Sequence, residues 1–159
     1  MIQFVNKEFI TENLPGDGIL VIDTDLQGAW ETGVHARLRY AFPKIYKTYQ
    51  ATCFYDYKRE GSCMLLEEAG YNIALLFTRR RRSDSKKVMM TNLESALVDL
   101  CRKVPCDIYM YSSILSKKDK CFNDIRVMLR KHLGPLNYNW FIYRKECPVI
   151  TKEIDSVTN

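Results

Sequence analysis

No apolar run in this chain of 159 residues approaches the length of about 18 that a membrane span needs, so no membrane partner is expected. The opening segment MIQFVNKEFI has no basic stretch followed by an apolar core, so no secretory signal is expected either. Histidine is scarce, at two residues. The six cysteines (Cys53, Cys63, Cys101, Cys106, Cys121 and Cys147) are scattered and form no C-x-x-C. Metal-ligand spacing is therefore absent, and neither a metal nor a cofactor is expected. Several of the cysteines sit in apolar patterns, as buried free thiols do, which points to a reducing, cytoplasmic setting. There is no complete glycine fingerprint for a nucleotide. No internal repeat and no second domain is visible.

What is present is enough for a core. Hydrophobic residues make up 47% and charged residues 27%, so residues 1–150 should fold as one domain, with 151–159 as a frayed, flexible tail. The net charge of +5 permits nucleic acid, nucleotide or acidic-protein partners and demands none.

The most informative stretch is ILVIDTDLQGAWETGVHARLRYAFP, Ile19 to Pro43. It opens on an apolar run, Ile19-Leu20-Val21-Ile22, with the composition of a buried strand. Asp23, Thr24, Asp25 and Gln27 follow, and Gly28 and Gly33 bracket Trp30. A helix-period pattern then places Val34, Leu38, Ala41 and Phe42 on one face until Pro43 stops it. A strand, a polar glycine-containing loop and a helix start is the usual geometry of a phosphate- or nucleotide-binding turn, because the helix offers free N–H groups to an anion. An ordinary strand-to-helix connection has the same outline.

Elsewhere, Ile2–Val5 reads as a first strand. Pro43 opens a second helix with Ile45, Tyr49 and Cys53 on one face. Cys63–Leu66 and Asn72–Phe77 read as two strands joined by a hairpin-sized turn at Glu68-Ala69-Gly70. Thr78 ends the second of these, and residues 79–87 form a charged loop containing Arg79-Arg80-Arg81-Arg82. Thr91-Asn92-Leu93-Glu94 has the form of a capping box, with Leu93, Ala96, Leu97, Leu100 and Cys101 behind it at helical spacing. Asp107–Met110 is a short strand and residues 112–120 a polar loop. Phe122 to His132 is a helix stopped by Gly134-Pro135, and Tyr138–Tyr143 a closing strand. Strands alternating with helices give an α/β domain with a mixed central sheet and helices on both faces.

In order and spacing these segments resemble macro domains, the ADP-ribose-binding fold. They look most like the branch of terminal ADP-ribose protein glycohydrolases and ADP-ribose-phosphate phosphatases. Ile19–Pro43 is similar to the family's first ligand-binding segment. Asn72 to Arg80 with Asn92–Leu97 is similar to its strand ending in Thr-(Lys or Gln) and the helix beyond. Met110–Phe122 and Tyr138–Tyr143 match the second ligand loop, a helix and the last strand. The resemblance implies a macro-domain-like α/β fold and a partner that is ADP-ribose or a related nucleotide, free or attached to a protein or nucleic acid. It implies that Glu8 meets the adenine, and that Asp23, Asp25, Gln27, Gly33, Val34, Arg79, Arg80, Ser113, Ser116, Lys118 and Tyr143 line the ligand site.

The chain departs from the family pattern where chemistry would occur. The family's Gly-x-Gly reads Glu31-Thr32-Gly33, which puts a carboxylate where phosphates approach. The second loop, Ser112 to Asp119, has no glycine; Lys117 and Lys118 offer side-chain cations in place of backbone amides. The lysine that attacks the sugar in the glycohydrolase branch is Arg79 or Arg80 here, and arginine stays protonated. If catalysis survives, Asp25 or Asp119 would be the acid that activates water. Each feature has a plainer meaning. Asp23 and Asp25 suit capping or solvated carboxylates, His35 a helix-surface histidine and Arg79–Arg82 a solvated basic loop. Tyr111, Phe122 and Tyr143 suit core filling as well as stacking on a base. Three readings follow: a binding module for ADP-ribose or a related nucleotide, a hydrolase removing ADP-ribose from protein or nucleic acid, and a non-catalytic interaction protein holding nucleic acid or a protein on a degenerate macro scaffold.

Overall fold

The computed structural model of the chain describes residues 2–5, 19–81, 83–103, 108–111, 122–135, 140–143 and 156–158. In chain order these form β1 (Ile2–Val5), β2 (Ile19–Asp25), α1 (Gly33–Ala41), α2 (Pro43–Phe54), β3 (Cys63–Glu68), β4 (Tyr71–Arg79), α3 (Lys86–Lys103), β5 (Ile108–Tyr111), α4 (Phe122–Leu133), β6 (Trp140–Tyr143) and β7 (Ser156–Thr158).

The seven strands make one sheet in the order β3-β4-β2-β5-β6-β1-β7. The five central strands run parallel; β3 and β7 pair antiparallel at the two edges. All seven residues of β2 are buried, as expected of a strand covered on both faces. Its side chains alternate between two cores. Ile19 and Val21 join Ala74 and Leu76 of β4 under α3 and α4, against Leu93, Leu97, Ile125 and Leu129. Leu20 and Ile22 join Ile73, Leu75 and Phe77 under α1 and α2, against Trp30, Leu38, Ile45 and Tyr49. Each fully buried Ile or Leu in these layers contributes about 1.5–3 kcal/mol. This is the mixed sheet with helices on both faces that the alternation of strands and helices implies.

Three local readings are corrected. Ala41 is exposed, so the inner face of α1 is Val34 and Leu38. β4 runs one residue past Thr78, to Arg79. The helix expected to start at Thr91 starts at Lys86. Ser85 supplies its cap, with its Oγ accepting the Val88 amide at 3.3 Å, while the Thr91 hydroxyl donates back to the Lys87 carbonyl at 3.1 Å. The β3–β4 hairpin turns through Ala69 and Gly70, with φ of 52° and 82°. Left-handed φ at both loop residues is the mark of the type I′ turn that matches strand twist.

Candidate functional site

Parallel pairing brings the carboxyl ends of β2, β4, β5, β6 and β1 to one side of the sheet, where a crevice for ligands forms in open α/β folds. Leu75, Ile22, Tyr111, Tyr143 and Val5 pair in one row across it, so the backbones of Tyr111 and Tyr143 lie level with the residue before Asp23. At the β2–β4 pair, Thr24 faces Phe77 while Asp25 faces Arg79, which leaves Thr78 as an extra residue on β4. Such a bulge re-aims the strand end. Thr78 is fully buried; its carbonyl accepts from Asn92 Nδ2 at 3.0 Å, and its hydroxyl has no hydrogen-bond partner among the described residues.

The loop after β2 is held from behind by α2. Asp25 Oδ1 accepts the Gln27 amide at 3.0 Å, an Asx turn, and lies 2.9 Å from the Tyr49 hydroxyl, which donates to it. The same hydroxyl accepts the Gly28 amide at 3.1 Å, and the Tyr46 hydroxyl donates to the Gly28 carbonyl at 3.3 Å. Burial first of all pushes the Tyr49 hydroxyl far above its ordinary range, so it stays neutral and can both donate and accept. The Trp30 indole stacks on Tyr49 with centroids 4.7 Å apart and donates to Thr24 Oγ1 at 2.9 Å. Tyr49 in turn stacks on Phe77 at 6.5 Å, so an aromatic column joins the loop to the sheet.

This explains why Asp23 and Asp25 are only 1% and 7% exposed. They are not solvated carboxylates; Asp25 shapes the turn. His35 is not a helix-surface histidine either. It is half-buried, and its Nε2–H donates to the Asp23 carbonyl at 2.7 Å. That bond turns the imidazole toward the strand end and fixes which nitrogen carries the proton when the ring is neutral.

At the far end of the loop, Gly33 opens α1 with φ of +61°, and a Cβ placed there would meet no atom within 4 Å. Glycine is therefore needed for the backbone conformation, and the space in front of it is open. Thr32 makes no side-chain cap, and α1 has no acidic residue in its first turn. The first intrahelical bond is Ala36 N–H to the Thr32 carbonyl, so the Gly33, Val34 and His35 amides precede the ladder. An uncapped helix start with an open approach suits an anion. Glu31 lines a hollow of ≈ 320 Å³ with Trp30, Ala36, Arg39 and Tyr40.

The structure thus gathers Asp23, Asp25, Gln27, Gly33, Val34 and Arg79 at one strand end. The Val34 side chain is buried, so only its backbone is available to a ligand. Arg80 is exposed and tied to acids of the α2–β3 loop, with Nε 3.0 Å from Glu60 and Nη1 3.4 Å from Asp56. Glu60, then Asp56, holds its guanidinium above its ordinary value. Glu8, Arg82, Ser113, Ser116, Lys117, Lys118 and Asp119 lie outside the described residues; of Tyr143 the backbone position on β6 is given above. Tyr46, Tyr49, Trp30 and Thr24 also hold the loop; helical spacing marks Tyr49 only as inward-facing, and no sequence signal gives the other three a role. Among the described residues, no group of three His, Cys, Asp or Glu could hold a metal ion, and no helix is long and apolar enough to cross a membrane.

Comparison with solved structures follows the same outline. The macrodomain of Thermus aquaticus DarG superposes with a TM-score of 0.73 at 20% identity, covering 91% of this chain and 98% of that one. The macrodomain of Mycobacterium tuberculosis DarG gives 0.70 at 15% identity, covering 92% and 99%. Thermosipho africanus DarTG in complex with ADP-ribose gives 0.63 at 16% identity, covering 88% of this chain and 40% of that one. No protein-family model and no curated protein matches the sequence. The chain has the macrodomain fold.

Proposed function

We propose that this macrodomain binds ADP-ribose or a related nucleotide, free or attached to a macromolecule, at the carboxyl ends of β2 and β4. One observation carries the reading. The β2–α1 loop is pinned from behind by Tyr49 and Tyr46, and it leads into an uncapped helix start with open space in front of Gly33. A preformed loop loses little entropy on binding, and unsatisfied amides at a helix N-terminus favour a diphosphate. That Thermosipho africanus DarTG, of which this chain matches 40%, was solved in complex with ADP-ribose supports the choice of ligand.

In this reading Gly33, Val34 and His35 offer backbone amides to the phosphates, and Gln27 and Asp23 flank the ribose end. Glu8 meets the adenine, Ser113, Ser116 and Lys118 close the second loop, and Tyr143 borders it. Arg79, level with Asp25, supplies charge, and Arg80 adds to it only by leaving Glu60 and Asp56. Asp25 is a turn-former first; Asp25 and Asp119 remain the acids assigned to water activation if turnover occurs. Thiols fit a reducing, cytoplasmic setting: burial above all raises Cys53 and Cys63 to about 11, so both stay protonated at neutral pH.

Thermal unfolding tests the reading. A ligand that binds only the folded chain stabilises it by RT ln(1 + [L]/Kd), about 2.7 kcal/mol at a hundredfold excess over Kd. ADP-ribose should raise the midpoint more than AMP does. Equal, vanishing shifts for both would overturn the proposal.

A further inference from the structure

The last turn of α2 ends in a surface that the strand-end site does not use. Phe54, Tyr55 and Tyr57 are 81%, 60% and 71% exposed. Tyr55 and Tyr57 stack on one another with centroids 5.5 Å apart and planes 19° apart, and Phe54 meets Tyr55 edge-on at 4.9 Å. Three large rings within four residues, lying beyond the buried face of Ile45, Tyr46, Tyr49 and Thr52, are not core. Clustered exposed aromatics mark a contact surface.

The backbone at this corner is held in an unusual state. Asp56 has φ of 54°. The Asp56 amide donates to the Cys53 carbonyl at 3.3 Å and the Tyr57 amide to the Thr52 carbonyl at 3.0 Å. This is a Schellman ending with aspartate where glycine is the usual residue, at a cost of about 1–2 kcal/mol. The aspartate has a use that glycine lacks, for its carboxylate receives Arg80 Nη1 at 3.4 Å. The corner that presents the two tyrosine faces is thereby joined to the arginine run after β4. Residues 79–87 carry six lysines and arginines and one acid. Arg59 and Arg81, chain neighbours of the paired Glu60 and Arg80, are exposed.

We propose that Phe54, Tyr55 and Tyr57, with the exposed cations Arg59 and Arg81, form a binding surface for single-stranded nucleic acid, distinct from the strand-end site. Stacked, solvent-facing rings next to a cationic loop are what unpaired bases and their phosphates require. A duplex hides its base faces, and an acidic peptide would leave the rings uncovered. The proposal does not rest on ADP-ribose binding.

The test is fluorescence anisotropy of the full chain with a labelled single-stranded 12-mer of mixed sequence, from 50 to 200 mM salt. The same 12-mer as a duplex and a poly-glutamate peptide serve as comparisons. The Tyr55→Ala/Tyr57→Ala variant should lose at least about fivefold in affinity, the low end for one stacked base. Tyr55→Phe/Tyr57→Phe should retain binding, because stacking needs the ring and not the hydroxyl. Arg59→Ser/Arg81→Ser should flatten the slope of log K against log salt. Unfolding midpoints confirm that each variant is folded. Failure of the unsubstituted chain to bind the 12-mer would overturn the proposal. So would unchanged affinity in a folded alanine variant, or binding of poly-glutamate or duplex as tight as that of the single strand. ADP-ribose titrations should be unaltered in all these variants, so loss of one activity is separable from loss of the other.

Discussion

The Tyr49 hydroxyl lies 2.9 Å from Asp25 Oδ1 and receives the Gly28 amide at 3.1 Å. One neutral side chain of α2 thus sets both ends of the turn after β2. Tyr49→Phe keeps the ring stack on Trp30 and removes only the oxygen. It leaves the Gly28 amide and a buried carboxylate each short of a partner, at a cost of about 1–3 kcal/mol. The expected result is a lower urea midpoint with an unchanged m-value, and weaker ADP-ribose binding than that loss of stability explains. An unchanged midpoint would show the bridge to be incidental.

Asp99 ties α3 to the sheet. Its Oδ2 accepts the Cys63 amide at 3.1 Å and Lys103 Nζ at 3.1 Å. Burial raises its pKa, but the Lys103 ammonium and the Cys63 amide outweigh it, so the carboxyl sits below its ordinary value. A carboxyl depressed in the folded state adds stability above its unfolded pKa of about 3.9, and that stability is lost as pH falls through the lower folded value. Asp99→Ala should therefore cost about 1–3 kcal/mol at pH 7. The gap to the unsubstituted chain should narrow below pH about 4 in denaturant titrations, and a gap independent of pH would contradict the assignment.

How much of this was legible in the residues varies with range. β2 and β4 are apolar runs bounded by polar residues, and they are strands in the structure. α3 was misplaced at its start because Thr91-x-x-Glu94 mimics a capping box, whereas the hydroxyl that caps is that of Ser85. The Tyr49–Asp25 bridge spans 24 residues, and helical spacing marks Tyr49 only as inward-facing. The partners of Arg80 lie 20 and 24 residues upstream in the α2–β3 loop, so a run of arginines reads as open charge when part of it is paired.

Ala69 sits at a left-handed φ of 52° beside Gly70. Asparagine tolerates that conformation far better than alanine, and Asn-Gly is the preferred type I′ pair. Ala69→Asn should raise stability by about 0.5–1 kcal/mol, read as a higher thermal midpoint. A lower midpoint would mean that the turn is set by other contacts.

Arg79 ends β4 level with Asp25, and the resemblance to the glycohydrolase branch puts Arg79 or Arg80 where that branch carries an attacking lysine. A guanidinium stays protonated and offers no amine lone pair. We expect little or no hydrolysis of ADP-ribosylated glutamate peptide or ADP-ribosylated oligonucleotide at neutral pH, measured by mass spectrometry. Arg79→Lys and Arg80→Lys are the variants in which turnover is expected if the lost lysine alone silences the site. Robust turnover by the unsubstituted chain, abolished by Asp25→Ala or Asp119→Ala, would instead establish a water-activating carboxylate.

Isothermal titration calorimetry of the unsubstituted chain with ADP-ribose, ADP and AMP in parallel tests the central claim most directly. The account predicts saturable one-to-one binding of ADP-ribose, weaker binding of ADP and AMP, and a loss of affinity for ADP-ribose in Tyr49→Phe. No saturable heat from any of the three with a chain shown to be folded, or identical ADP-ribose affinity in Tyr49→Phe, would contradict it.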